Sequence, residues 1–521
     1  MSEFLKKSDD QFLLKGRGGT GKTTIVKMII DKSGILHSRI IGATVADEAR
    51  GILANNLPTT INTKTMAGLL GLVPDYSKQG DLYFRERNTA EQREFDSKGK
   101  SDPIETAKLI IIDEASMISK DLYDILMRKK LKDAKVIFMG DNAQIPPINE
   151  DGKSADSPVF SLLEGTTNFA ELSERMRQGE ESPILPVTDV FAENIEDMQR
   201  GEAGKANPLT KRTDVYDEAS NSGVQFISDK QTLIDSFVED FRQNNDPKNA
   251  IIIGARNEIV DNFSKLIRER LFDTTEPFVV GDIIRVNSPH VVNKQVEFAN
   301  GFKGKVTQVV PKGANELGIQ LYNITVEYDT LDTAGNPIKS TATLTTVSPE
   351  NKLDVKKALK NLAAKAKAGS IPWRTFYALK ESIVDVGYNY AITAHKVQGS
   401  TYKNVYVLEG DIMSFPGGKL QQNRMMYTAV SRPTTKLVVF SVNNTNTVQK
   451  STGIDLSKLS GNLEDYQTLP TSSYGEENDR MSNRPSQDDY EAYQRMMGDE
   501  LLAESPINSD NLRNYLLICG K

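Results

Sequence analysis

The sequence predicts an α/β protein with two parallel-sheet domains and a small β-barrel inserted in the second of them. The first observation is that short apolar segments alternate with helical segments twice, over residues 12–147 and again over residues 250–440. Such alternation is typical of parallel strands covered by helices on both faces. The second observation is that residues 277–346 consist of β-branched segments separated by Gly, Asn and Pro, which indicates an all-β insert.

Length and composition indicate a soluble multidomain protein. At 521 residues the chain exceeds what one hydrophobic core organises, so we expect two to four domains. Hydrophobic residues make up 38% of it, and no apolar run approaches the roughly 18 residues that span a bilayer, so no membrane partner is expected. The polar opening is unlike a secretory signal, and the single Cys519 excludes an internal disulfide. We therefore expect a cytoplasmic protein.

The first series starts with a strand at Phe12–Lys15, a glycine-rich loop and a helix from Lys22 to about Lys32. The strand–loop–helix pattern recurs in RIIGATVADEAR, KLIIIDEASMISKDLYDILM and KVIFMGDNAQIPP. The second series consists of NAIIIGARNEIVDNFSKLIRERLF, YNYAITAHKVQGS, KNVYVLEG, MMYTAVSRP and KLVVFSV. Between the two series lie the β-rich insert and a Lys/Ala-rich helix. A shorter insert, DYSKQGDLYFRERN, interrupts the first series.

Domain boundaries follow from these changes of pattern. The first parallel domain is predicted to cover residues 1–178, with its insert at about 71–106. The second is predicted to cover 179–276 and 385–445, and the inserted barrel with its helical extension 277–384. Residues 446–521 are predicted to form a largely disordered acidic tail with a terminal helix.

A phosphate-binding loop occupies the start of the first series. Gly16, Gly21, Lys22 and Thr23 satisfy the pattern G-x-x-x-x-G-K-[ST] between a strand and a helix. Glycines let backbone N–H groups close around a phosphate, which also meets the positive end of the helix. Lys22 reaches the β- and γ-phosphate oxygens, and the Thr23 hydroxyl ligates Mg²⁺. The expected nucleotide-binding residues are Gly16, Gly18, Gly19, Thr20, Gly21, Lys22, Thr23 and Thr24.

Two further strand ends supply catalytic side chains. Asp113 and Glu114 follow the buried strand LIII, where Asp113 can hold Mg²⁺ and Glu114 can polarise the attacking water. Gln144 follows the next strand in GDNAQIPP and is an amide able to sense a γ-phosphate. Together with the loop, these residues predict a nucleoside triphosphatase that uses ATP and Mg²⁺.

The order of these motifs resembles the superfamily 1 helicases, in particular the 5′-to-3′ branch that contains RecD-type and phage Dda-type enzymes. GRGGTGKTT, GATVADEAR, DEAS and GDNAQIPP resemble motifs I, Ia, II and III, and ELSERMRQ resembles motif IV. YAITAHKVQGS and YTAVSRP resemble motifs V and VI. The resemblance extends over most of the chain, and its motifs stand in the family's order, which makes it highly specific.

The resemblance implies two RecA-like domains, an SH3-like inserted barrel and a β-hairpin pin that separates strands. It implies an ATP-driven monomer, plausible for a phage, that moves 5′ to 3′ on single-stranded DNA and unwinds the duplex at a fork in replication or recombination. It places Arg177 at the motif IV arginine and Arg432 at the arginine finger, with Gln398 and Gly399 at the same cleft. Guanidinium groups from the second domain would compensate charge that develops on the γ-phosphate.

DNA contacts are the least specific part of the resemblance. Thr44 and Thr65 are expected to contact phosphates, although either threonine is equally compatible with a helix cap. Thr393 and His395 are expected to face the strand. Phe84 or Tyr83 of the pin could stack on a base, or could pack inward. The remaining predicted contact lies after the barrel, where Trp373 either braces the pin or belongs to the core.

Two departures from the family pattern accompany these contacts. The family usually has a histidine two residues after the threonine at position 65, and here that residue is Ala67. It also has a glutamine that recognises adenine in a helix before the first strand. Only fifteen residues precede Gly16 here, and Gln11 lies too near the strand for that role. Truncation, supply of the helix by another polypeptide, and loss of the helix remain alternative interpretations.

The charge distribution and the choice of nucleic acid leave further alternatives. Residues 451–521 carry 13 acidic and 6 basic residues, a net charge of −7, which equals the charge of the whole chain. Such a tail would repel DNA and suit a basic replication or single-strand-binding protein. An RNA-directed superfamily 1 motor is an alternative, because the motif residues read backbone and base faces. A non-enzymatic scaffold is disfavoured by the intact Lys22, Asp113, Glu114 and Arg432.

Overall fold

The structure of the chain is a computed structural model, and it describes residues 4–6, 9–77, 82–147, 155–173, 182–243, 246, 248–293, 295–331 and 337–441. Within these ranges, the strands form two six-stranded sheets, one five-stranded sheet and two two-stranded hairpins. The described part of the chain contains no helix that is long and apolar enough to cross a membrane. The predicted acidic tail, its terminal helix and Arg177 lie outside the described residues.

The first six-stranded sheet forms the core of the amino-terminal domain. Its elements are β1 (Gln11–Gly16), α1 (Lys22–Ser33), β2 (Ile40–Thr44), α2 (Asp47–Asn56), β3 (Asn62–Thr65), α3 (Met66–Leu70), β4 (Val73–Tyr76), β5 (Leu82–Arg85), α4 (Thr89–Ser97), β6 (Leu109–Ile112), α5 (Lys120–Lys129), β7 (Lys135–Gly140), α6 (Pro158–Leu163) and β8 (Phe169–Leu172). The sheet order is β3-β2-β6-β7-β1-β8, and every neighbouring pair is parallel. All four β6 side chains are fully buried, because both faces of the sheet are covered. The carboxyl ends of β1, β6 and β7 therefore bring their loops together at one edge.

The second parallel domain is interrupted by the insert. It begins with α7 (Ile184–Gln199), β9 (Val215–Asp217), β10 (Ser222–Ile227), α8 (Lys230–Arg242), β11 (Ala250–Gly254) and α9 (Asn257–Phe272). The insert contributes β12 (Ile283–Val286), β13 (His290–Val292), β14 (Gln295–Phe298), β15 (Lys303–Ala314), β16 (Gln320–Leu331), β17 (Pro337–Val347), α10 (Lys352–Lys367), α11 (Trp373–Ser382) and β18 (Val386–Tyr388). The domain resumes with β19 (Ala391–Thr393), β20 (Tyr402–Leu408), α12 (Glu409–Met413), α13 (Gly418–Val430) and β21 (Pro433–Phe440). Its sheet order is β19-β11-β20-β21-β10-β9, with only the β9–β10 pair antiparallel.

The insert is built on an antiparallel five-stranded sheet in the order β17-β16-β15-β12-β18. A hydrogen bond of 2.8 Å from the Val384 N–H to the Thr345 carbonyl joins the segment before β18 to β17, so the two edge strands approach each other there. The insert was predicted to end at residue 384, but it also includes β18, which follows that residue. β18 pairs with β12 of the insert, whereas β19, which follows β18 after two intervening residues, pairs with β11 of the second parallel domain.

A hairpin of β4 and β5 projects from the first domain at the position of the predicted pin. Asn88 caps the helix that follows it, α4, with its side-chain oxygen accepting from the N–H groups of Ala90 and Glu91. Arg85 of β5 is paired with Asp75 at 2.5 Å and with Glu91 at 2.7 Å. The first pair joins the two strands of the hairpin, and the second ties the hairpin to α4.

Candidate active site

The loop after β1 has the backbone that a phosphate cradle requires. Gly19 and Gly21 have φ angles of 82° and 77°, a left-handed conformation that favours glycine. A Cβ atom at Gly16 would lie 2.5 Å from the Thr20 hydroxyl oxygen, so the close turn excludes any side chain there. The Lys22 ammonium donates to the carbonyls of Gly16 and Arg17, at 2.5 and 3.0 Å. The predicted lysine therefore lies at the mouth of the loop.

The start of α1 supplies further donors to this loop. The Ile25 N–H donates to the Gly21 carbonyl at 3.1 Å and forms the first turn of the helix. The N–H groups before it, those of Lys22, Thr23 and Thr24, precede any intrahelical partner and can receive an anion. Across the cleft, a Cβ atom at Gly18 would lie 3.9 Å from Ser431 of the second domain. The loop thus faces the second domain directly.

The acidic pair follows β6 at the same edge of the sheet. The Asp113 carboxylate accepts from the Glu114 N–H at 2.9 Å. Glu114 itself has a φ of 53°, a strained value for a residue with a side chain. Burial and the Asp113 carboxylate raise the pKa of Glu114, whereas Arg432 and Lys22 act in the opposite direction. The predicted catalytic acids and both predicted cations therefore share one site, in which Arg432 is buried and the other three side chains are partly buried.

The loop after β7 is held by the second domain. The Tyr427 hydroxyl of α13 donates to the buried Asp141 carboxylate at 2.5 Å. The Ala143 N–H donates to the other Asp141 oxygen at 3.1 Å, and this fixes the loop that carries Gln144. The side chain of Gln144 is buried. Tyr427 was absent from the predicted site, although it lies inside the motif VI segment.

Arg432 crosses from the second domain to this buried loop. Its side chain is 3% exposed, and one terminal nitrogen donates to the Gln144 side-chain oxygen at 3.2 Å. The other terminal nitrogen donates to the Ser400 carbonyl at 3.3 Å, and Nε donates to the Thr428 carbonyl at 2.8 Å. These bonds orient the guanidinium before any ligand binds.

Gln398 and Gly399 complete the contact between the domains. The Gln398 amide donates to the Ser116 hydroxyl at 3.3 Å and to the Ile145 carbonyl at 3.2 Å. Gly399 has a φ of 82°, and a Cβ atom there would lie 3.0 Å from Ala49 and 3.8 Å from Glu114 Oε1. Only glycine allows this approach to the acidic pair.

Arg17, inside the phosphate loop, forms an interdomain contact that the sequence did not indicate. Its guanidinium donates to Asp189 at 2.7 Å and to Glu196 at 2.8 Å, both on α7 of the second domain. Burial lowers the pKa of Arg17, but the bond to Glu196 and the negative charges of Glu196 and Asp189 act together against this effect, and the net shift is upward. An arginine in a glycine-rich loop was the only available signal, because nothing in the sequence pairs it with α7.

Glu48 at the start of α2 connects three parts of the molecule. Its carboxylate accepts from Lys303 at 2.5 Å and from Arg285 at 3.3 Å, both in the insert, and from the Ser400 hydroxyl. The Lys303 ammonium also donates to the Tyr402 hydroxyl at 2.9 Å. Burial favours the neutral acid, but Lys303 and Arg285 lower the pKa of Glu48. This buried cluster, which we call the Glu48 cluster, joins the first domain, the insert and motif V.

Comparisons with known proteins agree with this geometry. Residues 1–213 match the family model described as AAA domain, and residues 388–440 match the UvrD-like helicase C-terminal domain. The ATP-dependent DNA helicase Dda of Enterobacteria phage T4 is 24% identical over 454 residues, which cover 82% of this chain and 94% of the phage protein. The chain therefore matches both an AAA domain and the carboxyl-terminal domain of UvrD-like helicases, and it is similar to the phage helicase over most of the length of both proteins.

Other similar proteins extend over comparable lengths. An uncharacterised protein of Acanthamoeba polyphaga mimivirus is 22% identical over 498 residues, covering 84% of this helicase and 96% of the viral protein. Among solved structures, the Bacteroides Pif1 helicase with ADP-AlF3 and ssDNA has a TM-score of 0.42 and 17% identity, and covers 85% of this chain and 91% of its own. The Pif1 helicase of Candida albicans has a TM-score of 0.41 and 16% identity, with coverage of 85% and 94%.

The predicted strand-contacting residues of the helicase are mostly engaged within the protein. Thr44 is fully buried and donates to the Ala46 carbonyl at 2.7 Å, and Thr393 is buried in β19. Thr65 caps α3, with its hydroxyl oxygen accepting from the Gly68 N–H at 3.1 Å. The Nε2 atom of His395 is buried, and burial lowers the pKa of this imidazole. Thr44 and Thr393 are therefore both buried in this arrangement, and their contact with a strand stays a prediction.

The two predicted aromatic contacts differ in their surroundings. Phe84 is 37% exposed and Tyr83 40% exposed on β5, so both rings are accessible on the hairpin. Trp373 is buried in an aromatic cluster on α11 with Phe376, which corrects its assignment as a DNA contact. The hairpin packs against that cluster through Tyr76, whose ring centroid lies 6.1 Å from that of Phe376.

Proposed function

We propose that the chain is an ATP-dependent DNA helicase that moves 5′ to 3′ on single-stranded DNA and unwinds duplex DNA at a fork. The observation that carries the proposal is the contact of Arg432 with Gln144, at 3.2 Å, beside Glu114 and Lys22. This contact joins an arginine of the second domain to the loop after β7 of the first domain, and it supports a nucleotide site between the two domains. A nucleotide bound there would be part of the interface between the two domains, so its hydrolysis would change how they hold together.

The residues of the loop fit ATP and Mg²⁺. The glycine backbone, the first N–H groups of α1 and the Lys22 ammonium supply the positive cradle for the β- and γ-phosphates. Thr23 and Asp113 would hold Mg²⁺, which would neutralise negative charge on the phosphates. The Asp113 oxygen that now accepts from the Glu114 N–H lies at the strand end where such a ligand is needed.

The chemical step assigned to this chain is positioning and charge compensation. Glu114 would orient the attacking water and accept its proton, and its burial beside two cations suits that role. Lys22 and Arg432 would stabilise negative charge on the transferred phosphoryl group from opposite sides of the cleft. Gln144 would sense the γ-phosphate, since its side-chain oxygen accepts a hydrogen bond from Arg432. Arg177, at the motif IV arginine, is proposed as a further cation.

Movement along DNA would follow from closing and opening of this cleft. The side chains that bridge the cleft come from both domains. Each round of ATP binding and hydrolysis would therefore change the distance between the two sites that hold the strand. Thr65 and His395 are proposed as residues of these sites. Unwinding would also need a wedge, for which the exposed Phe84 and Tyr83 are suited, since aromatic rings stack on bases of any sequence.

The setting of this activity is proposed from the sequence. We propose that the protein acts as a monomer in replication or recombination and that its gene is of phage or other viral origin. We also propose a cytoplasmic location, which would be the host cytoplasm if the gene is viral. The acidic segment 451–521 is proposed to bind a basic replication or single-strand-binding protein rather than DNA.

The test measures ATP hydrolysis by the full-length protein with no nucleic acid, with single-stranded DNA and with single-stranded RNA. It then measures unwinding of duplexes with a 5′ or a 3′ tail. We expect stimulation by DNA and unwinding of the 5′-tailed duplex alone. Stimulation by RNA only would replace the DNA assignment, and unwinding only from a 3′ tail would overturn the direction.

A further inference from the structure

The segment from Lys352 to Arg374 differs in charge from the rest of the chain. It contains seven basic residues and one acidic residue, Asp354, for a net charge of +6 in a protein whose net charge is −7. The segment comprises α10 and the start of α11. A local excess of this size needs an explanation that the overall composition does not supply.

Helical geometry places several of these cations on one side of α10. At 100° per residue, Lys356, Lys360, Lys367 and Lys357 fall within a sector of about 100°. Lys356, Lys357 and Lys360 are exposed, whereas the alanines and leucines on the adjoining sector face the aromatic cluster of α11. We call the four lysines the lysine face.

On two other helices, an exposed lysine is paired with a carboxylate one turn away. These pairs are Lys98 with Glu94 at 2.6 Å, and Lys120 with Asp124 at 2.6 Å, each four residues apart on one helix. Among the described residues, no ion pair involves Lys356, Lys357 or Lys360, and α10 has no acidic residue after Asp354. A helix surface that serves only solubility carries both signs of charge. The charges on the lysine face are all positive, which favours a polyanionic partner.

The position of α10 connects the lysine face with the hairpin. Ala363 and Ala366 of α10 share a buried cluster with Phe376 and Tyr377 of α11. Tyr76 of the hairpin packs on the same cluster, with its ring centroid 5.7 Å from that of Tyr377. One rigid unit therefore carries both the lysine face and the base of the proposed wedge.

We propose that the lysine face binds the phosphate backbone of the duplex arm of a forked substrate. This proposal rests on the proposed helicase function. Lysines are point charges on flexible stems, so they suit phosphates without reading the base sequence. In the proposed function, single-strand movement uses the cleft between the two parallel domains, and α10 belongs to neither sheet. Duplex DNA is therefore the polyanion expected at this unit, and the contact would hold the fork against the hairpin.

The test compares the full-length protein with the triple variant Lys356→Gln, Lys357→Gln and Lys360→Gln, because glutamine and lysine have similar helix propensities. Binding to a single strand, and to the same strand joined to a duplex, is measured over a series of salt concentrations. We expect the variant to lose several-fold in affinity for the tailed duplex only. The slope of the logarithm of its affinity against the logarithm of the salt concentration should fall in magnitude by about 2 to 3, since each lost phosphate contact lowers it by about 0.9.

Controls separate this contact from other causes. The matched variant Lys132→Gln, Lys211→Gln and Lys248→Gln removes three exposed lysines from loops of the two parallel domains and should leave the extra duplex affinity unchanged. Equal losses on both substrates, no loss on either, or an equal loss in the matched variant would each overturn the proposal. If the triple variant fails to fold, as judged by circular dichroism, Lys360→Gln alone is used, with a slope change of about 0.9. Failure of the helicase function is detected separately, as absence of DNA-stimulated ATP hydrolysis in the unmodified protein.

Discussion

At the scale of single residues, the site separates groups that act on bound phosphate from groups that hold the protein together. Within the described part of the chain, the Lys22 ammonium bonds to two carbonyls of its own loop, those of Gly16 and Arg17, and it can exchange them for phosphate oxygens at little structural cost. Arg432 is buried and bonds to α13 and to two loops, and these bonds fix its orientation. The two cations should therefore respond differently to removal.

Lys22→Ala should lower ATP turnover by at least about a hundredfold and leave the fold intact, because it removes one preorganised charge that acts on the phosphates. The measurement is steady-state ATP hydrolysis with single-stranded DNA, together with thermal unfolding. Lys27→Ala, an exposed lysine on the same helix, is the matched control and should retain activity. Near-normal turnover in folded Lys22→Ala would refute the assignment of this loop.

Arg432→Ala should still bind ATP but hydrolyse it at least about a thousandfold more slowly, because an arginine finger stabilises charge that appears only in the transition state. Nucleotide binding and the turnover number are measured separately on the same preparation. A variant with weakened binding and an unchanged turnover number would show that Arg432 is an ordinary ligand or a packing residue.

At the scale of elements, the hairpin and the Glu48 cluster connect the insert to the parallel domains in different ways. The hairpin rests on α11 through Tyr76 and keeps the Phe84 ring exposed. The Glu48 cluster instead buries charges from α2, β12 and β15, and reaches motif V through Ser400. The Ser400 carbonyl in turn accepts from Arg432, so hydrogen bonds connect the insert to the proposed arginine finger through Ser400. Loss of the hairpin ring should affect unwinding, whereas loss of the cluster should affect stability and hydrolysis.

Glu48→Gln should destabilise the protein by about 3–5 kcal/mol, because it leaves the buried Arg285 and Lys303 without their counter-charge. The turnover number of ATP should also fall, since Ser400 loses the partner that orients it. Denaturant unfolding and ATP hydrolysis are the measurements. Asp124→Asn, which breaks the exposed pair with Lys120, is the control and should change neither quantity. If Glu48→Gln and Lys303→Gln together cost as much as the sum of the two single variants, the proposed coupling is absent.

Phe84→Ala should slow unwinding of a 5′-tailed duplex several-fold and leave DNA-stimulated ATP hydrolysis nearly intact. Stacking on an aromatic ring contributes about 1–3 kcal/mol per base, comparable to the cost of opening a base pair. Strand displacement and ATP hydrolysis are measured in parallel, with Leu162→Ala, another exposed apolar residue, as the control. Equal loss of both activities in Phe84→Ala would indicate that the ring has a packing role.

At the scale of the whole molecule, charge is divided between the carboxyl-terminal segment and the rest of the chain. Residues 451–521 carry the net charge of −7, and the remaining 450 residues are formally neutral. A neutral body can present a basic surface such as the lysine face, while the acidic segment repels the same polyanion. The two regions therefore have opposite expected effects on DNA binding.

Deletion of residues 451–521 should leave ATP hydrolysis intact and bind single-stranded DNA at least as tightly as the full chain, because the deletion removes only net negative charge. Equilibrium binding at low and moderate salt is the measurement, since any gain should shrink as salt screens the charges. Loss of the folded state in the shortened protein would show that the segment belongs to the core.

By itself, the sequence determined the two parallel domains, the all-β insert and the phosphate loop. These features depend on short-range patterns: apolar segments of strand length, and glycines at fixed positions before Lys22. The predicted helix from Lys22 to about Lys32 corresponds to the observed Lys22–Ser33 for the same reason. The roles of Arg432 and Gln398 came from the family resemblance, since nothing local distinguishes an arginine finger from any other arginine.

Only the tertiary structure decided which distant residues meet. Glu48 and Ser400 are 352 positions apart, and Arg17 and Glu196 are 179 apart, so no local pattern pairs them. The segment YNYAIT is divided between two sheets because Tyr388 faces β12 and Ala391 faces β11, a choice made by the partners and not by propensity. Trp373 is likewise a core residue because the alanines of α10 and the hairpin enclose it. Burial and pairing at long range are properties of the folded chain, whereas strand period, loop glycines and charge are properties of the sequence.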